Sequence, residues 1–304
     1  MPRPDHPAWS RPLALAVLVA AGLLWGLGAP FVRYARLGGM EAFSLVLWHS
    51  VIGLVVLGII LGIRGRLNIP RDAASLKLYL AVGVLGIFAP HIAGYWALGW
   101  VPAGVHALLT SLVPIFALAV ALALRIERFR PVRALGLALG AGAIALIVLP
   151  DSSLPQGVAV GFVLVSALAP LCYALESAYV AHISTAPAGA MQALFGGSII
   201  AVLLCLGGTW AAGQALVPDS IDMRLGAVVV SGAGAALAYA LYVTLLRRAG
   251  SVFATQVAYV VTLSAMGWAV LLLGERPAPT IWAAMALIFA GLALVRPRNA
   301  QSGV

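Results

Sequence analysis

The sequence predicts an all-α integral membrane protein, with ten transmembrane helices in two inverted five-helix repeats and both N- and C-termini cytoplasmic. Three observations lead there: a composition too apolar for water, apolar runs of membrane-spanning length along the chain, and self-similarity at one fixed offset. Of 304 residues, 63% are apolar without counting glycine and 9% are charged, whereas soluble domains run at about 45–50% apolar and about 25% charged. Lys77 is the only lysine, so charge is too scarce to cover a water-facing surface. Lipid must be the solvent for most of this chain. The formal net charge of +9 does not point to nucleic acid, because the arginines sit in short clusters between apolar runs rather than along one face. Cys172 and Cys205 both lie inside apolar runs and read as core fillers, with no second pair to build a metal site.

A helix needs roughly 20 apolar residues to cross the hydrocarbon layer, at about 1.5 Å per residue. The first run, 13–33, follows a short N-terminus with Arg3 and Arg11. No small-residue cleavage site and polar mature chain come after it, so it reads as a retained helix, not a signal peptide. It carries Trp25 and Pro30. The second run, 42–62, contains His49 beside Trp48, and the third, 76–98, contains Pro90 and His91. The fourth, 103–124, starts at a Val101-Pro102-Ala103-Gly104 turn and holds His106 and Pro114. Gly136 and Gly140 give the fifth run, 132–149, a small-residue face for close packing. Pro170 and Glu176 stand in the sixth, 157–181, and Gly196 and Gly197 in the seventh, 188–209. The eighth, 225–246, carries Tyr239 and Tyr242. Tyr259 lies in the ninth, 253–273, which closes on Leu273-Gly274-Glu275-Arg276, and the tenth is 279–295.

Cytoplasmic loops hold the excess of Lys and Arg. With the N-terminus inside, 14 of the 18 basic residues fall inside: Arg3, Arg11, Arg64, Arg66, Arg71, Lys77, Arg125, Arg128, Arg130, Arg133, Arg247, Arg248, Arg296 and Arg298. Arg33, Arg36, Arg224 and Arg276 fall outside, and the inside loop around His182 carries neither Lys nor Arg.

Sliding the chain on itself by 148 residues lays 110–131 on 258–279, aligning Glu127-Arg128 with Glu275-Arg276 and Pro131 with Pro279. The same offset puts Trp25 on Tyr173, Phe31 on Tyr179 and His91 on Tyr239. The repeats therefore divide at 1–150 and 151–304. Five spans per repeat is an odd number, so the second copy lies upside down relative to the first. That is the usual build of secondary transporters, which hold substrate near the midplane where the halves meet.

The Trp25-Gly26 pair, the turn at 101–104 and the 273–276 closure, in this order and spacing, resemble the drug/metabolite transporter superfamily, EamA-type, over nearly the whole chain. The resemblance implies a carrier, monomer or homodimer, whose central cavity is lined by the first, third, fourth, sixth, eighth and ninth spans. Members of that superfamily move amino acids, nucleobases, nucleotide-linked sugars, amines and drugs, so it leaves the cargo open.

An ionisable group in mid-span is costly, about 2.5–3.5 kcal/mol for Asp on insertion scales, and such groups face cavities. Glu176 has apolar turns on either side, follows Pro170, and shares a face with Tyr173. It reads as a counter-ion for a cationic or zwitterionic substrate or as a proton carrier, against the plainer alternative of a carboxyl snorkelling to the cytoplasmic edge. His91 has Tyr95 on its own face and reads as a second proton-coupling candidate or as a satisfied hydrogen-bonding residue. His49 and His106 have no partner that the sequence names. Trp25, Tyr239, Tyr242 and Tyr259 complete a substrate-binding set with His91, Tyr95, Tyr173 and Glu176. Rings around one carboxylate suit an ammonium group, each worth about 0.5–2 kcal/mol, and suit aromatic amino acids by stacking. Trp96, Trp100 and Trp210 read as an interfacial belt. Among basic residues only Arg33 comes close to mid-span, which disfavours strongly anionic cargo. Glu127 and Glu275 close the fourth and ninth spans and read as structural or gating residues. Pro30, Pro90, Pro114 and Pro170 interrupt the expected cavity helices, where bending would serve alternating access.

The sequence thus reads as a secondary active transporter of the inner membrane, an exporter of amino acids or related compounds, with quaternary amines or cationic drugs as the alternative cargo. Its partners are a small-molecule substrate in the central cavity, membrane lipid and protons. No Walker motif, metal-ligand set or cofactor motif occurs, and no hydrolytic constellation that would make it an enzyme.

Overall fold

The computed structural model describes residues 9–125, 129–149, 154, 158–182, 186–216 and 222–295. Glu127 and Arg128 of the repeat reading lie outside them, as do Arg3, Arg296, Arg298 and the side chain of His182. The described residues form helices on each expected run: α1 (Arg11–Leu37), α2 (Ala42–Ile63), α3 (Ala73–Ala97), α4 (Ala103–Ala123) and α5 (Pro131–Val148). Then come α6 (Val160–His182), α7 (Ala190–Ala211), α8 (Met223–Ala249), α9 (Val257–Leu273) and α10 (Pro279–Val295). Eight of these are long and apolar enough to cross a membrane, while α9 and α10 are equally apolar but only 17 residues each. Val55, Ile59, Leu203, Val229 and Leu271 stand exposed on the outside of the bundle, an apolar surface that water would penalise and lipid does not.

Proline decides where these helices break. Pro30 has no N–H for the Gly26 carbonyl, and α1 divides at Leu27 into Arg11–Gly26 and Gly28–Leu37. Pro114 does the same to Thr110, so α4 divides into Ala103–Thr110 and Val113–Ala123. Before Pro90 the chain winds as a π-helix, Val82–Phe88, which lets α3 run on. Pro170 was expected to loosen α6, yet the helix is continuous through it. One turn before it, Ser166 is buried against α4, its hydroxyl 2.7 Å from His106 Nδ1. The ninth helix starts later than expected, because Gly250 (φ 84°) turns the chain and Ser251–Ala254 forms a separate turn.

Packing joins the two expected halves more than it joins helices within either. The first-half helix α1 packs on α8 and α9, α2 on α7 and α8, α3 on α6 and α7, α4 on α6 and α9, and α5 on α10. Glycine makes the last pairing close: a Cβ at Gly136 would meet the Gly291 carbonyl at 3.0 Å, and one at Gly291 would meet the Gly136 carbonyl at 3.0 Å. Gly140, from the same small face, receives Ile115 of α4.

Chain direction alternates. At one end of the bundle Arg224 donates to the Gly38 carbonyl, Trp48 Nε1 to that of Leu216 and Ser44 Oγ to that of Ala215. These bonds gather the α1–α2 and α7–α8 connections. At the other end Gln192 donates to the Arg66 and Asn68 carbonyls at 3.2 and 3.0 Å, tying the start of α7 to the α2–α3 connection.

Candidate functional site

The break in α1 sets Trp25 at the centre of the α1–α8 contact. Its indole meets Tyr242 at 5.5 Å and Tyr239 edge-on at 6.4 Å between ring centroids. Close approach of α9 behind it requires glycine: a Cβ at Gly26 would come within 2.9 Å of the Ala265 backbone nitrogen. Tyr239 donates to the Ala190 carbonyl at 3.3 Å, which brings α7 to the same group.

Glu176 comes from α6 and rests on the π-helical stretch of α3. A Cβ at Gly86 would meet its Oε1 at 2.8 Å, so the carboxylate in this position lies directly on the glycine and would have to shift to admit a methyl. Gly86 stands midway along α3, which puts the carboxylate at mid-depth of the bundle and not at the α6–α7 end where a snorkelling group would lie. Among the described residues no hydrogen bond or ion pair satisfies it, and Tyr173 and Tyr239 are the groups within its electrostatic reach. Trp25, Tyr173, Glu176, Tyr239 and Tyr242 thus form one group across α1, α6 and α8.

His91 and Tyr95 do share a face, with rings stacked at 5.0 Å and 12°. They belong to a second group that sequence reasoning did not assemble. His49 of α2 lies edge-on to both rings at 5.1 and 5.6 Å, and its Nδ1 is 3.1 Å from the Tyr95 hydroxyl and 3.3 Å from Ser231 Oγ of α8. Tyr95 is within electrostatic reach of Tyr173, so the two groups are neighbours. His106, the other histidine without a named partner, pairs with Ser166 and packs on Gly94. Tyr259 stands apart, against Phe289 of α10 at 5.0 Å, edge to face. Trp96, Trp100 and Trp210 are exposed.

A third polar group occupies the end that holds the α3–α4 and α9–α10 turns. Arg33 Nε lies 3.1 Å from Glu275 Oε1, and Arg33 Nη1 donates to the Leu98 and Val101 carbonyls at 2.9 and 2.5 Å. Glu275 also accepts from the Ala103 and Gly104 backbone N–H groups at 2.7 and 3.1 Å, a carboxylate at a helix N-terminus. A carboxylate just past the C-terminus of its own helix opposes that helix's dipole, and α4, whose N-terminus Glu275 caps, offsets this. Gly274, at φ 65°, makes the left-handed turn that aims Glu275 there. The 101–104 turn and the 273–276 closure, far apart in sequence, thus meet directly. Beside them lies a cavity of about 450 Å³ lined in part by Arg33, Glu275 and Arg276.

The chain matches the EamA-like transporter family twice, over residues 12–149 and over 160–296. None of the curated proteins compared with the chain matches it. A crystal structure of another protein, 20% identical, superposes with a TM-score of 0.63 over 94% of this chain and 96% of its own, a likeness that speaks for the fold alone.

Proposed function

The chain belongs to the EamA-like transporter family, a two-repeat, multi-pass membrane transporter of the drug/metabolite superfamily, and from that premise we propose that it exports amino acids or related small metabolites by alternating access. On this reading the ten helices all span the inner membrane, both termini are cytoplasmic, and units 1–150 and 151–304 rock about a central cavity as a monomer or homodimer. Cargo sits among Trp25, Tyr173, Glu176, Tyr239 and Tyr242, with His91 and Tyr95 adjoining and Tyr259 at the margin. A gradient supplies the energy.

The observation that carries the reading is the Glu176 carboxylate, at mid-depth, without a hydrogen-bonding partner among the described residues and within reach of Tyr173 and Tyr239. A buried anion in such a place favours a cationic partner, and an α-ammonium group brings one. Quaternary amines or cationic drugs fit the same rings and are the second reading. The Arg33–Glu275 group lies at the outer end on the expected orientation and would have to part for outward release.

A thermal-shift comparison of the purified protein with Glu176→Gln, against amino acids and choline-like cations, tests this. Stabilisation of the native chain by a zwitterion or amine, lost in the variant, supports the site. Equal stabilisation of both proteins removes Glu176 from recognition.

A further inference from the structure

Adjoining the cargo site is a second polar group, His49 with Ser231 and the Tyr95–His91 stack, of which the cargo reading leaves His49 and Ser231 without a task. It lies where α2 and α3 of the first half meet α8 of the second. His91 Nδ1 is closed off from solvent and meets no hydrogen-bonding partner. Two imidazoles at 5.1 Å between centroids cannot both carry charge without strong repulsion, so a proton taken up by either is felt by both. An imidazolium at His91 would lie flat on the Tyr95 ring, a favourable cation–π arrangement. In the tautomer whose Nδ1 accepts from these hydroxyls, a proton added at His49 Nδ1 turns that atom into a donor, and the hydroxyls of Tyr95 and Ser231 then have to reverse.

We propose that His49 and His91 form the carrier's proton-binding site, holding one proton between them and reporting it to α8 through Tyr95 and Ser231. The proposal rests on the carrier reading and names its coupling site. Proton binding changes hydrogen bonds that cross from one half to the other, and these must differ between the two access states if protons are to drive the change. The titratable groups around the pair are Tyr95 on α3, His106 on α4, Tyr173 on α6 and Cys205 on α7, and beyond Tyr173 lie Glu176 of α6 and Tyr239 of α8. On α1, Arg33 is engaged by Glu275.

The test is ¹⁵N-histidine NMR on the full chain in nanodiscs over roughly pH 5 to 8, for the native protein, His49→Gln, His91→Gln and Ser231→Ala. A coupled pair takes up one proton with both imidazole signals moving together. Each single histidine substitution leaves the other imidazole titrating alone, displaced by about one pH unit or more, and Ser231→Ala displaces the joint midpoint while both rings remain. Imidazoles that titrate independently of each other, or stay unchanged across the range, overturn the proposal. Amino-acid and choline transport in proteoliposomes under an imposed pH gradient separates the two readings. Transport that keeps its pH dependence in a folded His49→Gln/His91→Gln double variant overturns the proton site and leaves the carrier standing. A coupled titration in a chain that moves neither cargo overturns the carrier reading instead.

Discussion

The Arg33–Glu275 joint and the His49–His91 group are both polar islands in an apolar bundle, and they are finished differently. At the joint, Glu275 takes an ion pair and two backbone N–H groups, while Arg33 gives to two carbonyls besides. In the histidine group two hydroxyls crowd one nitrogen of His49, and His91 Nδ1 has nothing. A buried polar atom left unpaired costs about 1–3 kcal/mol, so a fully paired group contributes to stability, and a half-paired one marks a place built for another task.

Perturbing the joint should produce the largest effect. Glu275→Ala leaves Arg33 charged in a partly buried pocket and uncaps α4, and a loss of about 3–5 kcal/mol in unfolding free energy is expected from denaturant titration. A loss no greater than that of an exposed ion pair would erase the contrast. Tyr95→Phe removes one hydroxyl from His49 and should cost about 0.5–1.5 kcal/mol in the same titration. Gly86→Ala pushes the Glu176 carboxylate out of its place on α3. Because the end of a flexible side chain can shift, the expected cost in unfolding free energy is below about 1 kcal/mol, and the readout is weakened ligand-dependent thermal shifts. His91→Phe keeps the ring stack and deletes the unpaired nitrogen. Its unfolding free energy should stay within about 1 kcal/mol of the native value, or rise, while proton coupling is lost. The smallest effect belongs to Asp72, in the α2–α3 connection. The Ser75 hydroxyl and the Ala74 and Ser75 N–H groups hold its carboxyl below the ordinary value of 3.8. That cap is fully present above 3.8 and fades as pH falls through the lowered value. Asp72→Ala should therefore lower the melting temperature slightly at neutral pH, and the difference should close in strong acid.

Much of the fold was legible because length and hydropathy decide a membrane helix locally: each expected run is a helix, and the small faces at Gly136 and Gly140 do pack closely. Pairing Glu176 with Tyr173 and stacking His91 with Tyr95 needed only helical periodicity. The mid-depth seat of Glu176 was not legible, because it depends on a glycine of another helix, Gly86. His49 and His106 looked solitary for the same reason, since their partners Ser231 and Ser166 are 182 and 60 residues away. Proline effects were half legible: Pro30 and Pro114 broke their helices, but a π-helix absorbed Pro90 and α6 runs unbroken through Pro170.

By itself, the amino-acid order determined a lipid-embedded chain of apolar helices with an internal repeat and transporter character, because composition, span length and offset are properties of the chain alone. Only the tertiary structure decided that Glu275 closes on Arg33 and the start of α4, that Glu176 sits at mid-depth with no partner among the described residues, and that His49 meets His91 within the first half and Ser231 across to the second. Hydrogen bonds and ring contacts depend on distances between helices, and no periodicity within one helix encodes them.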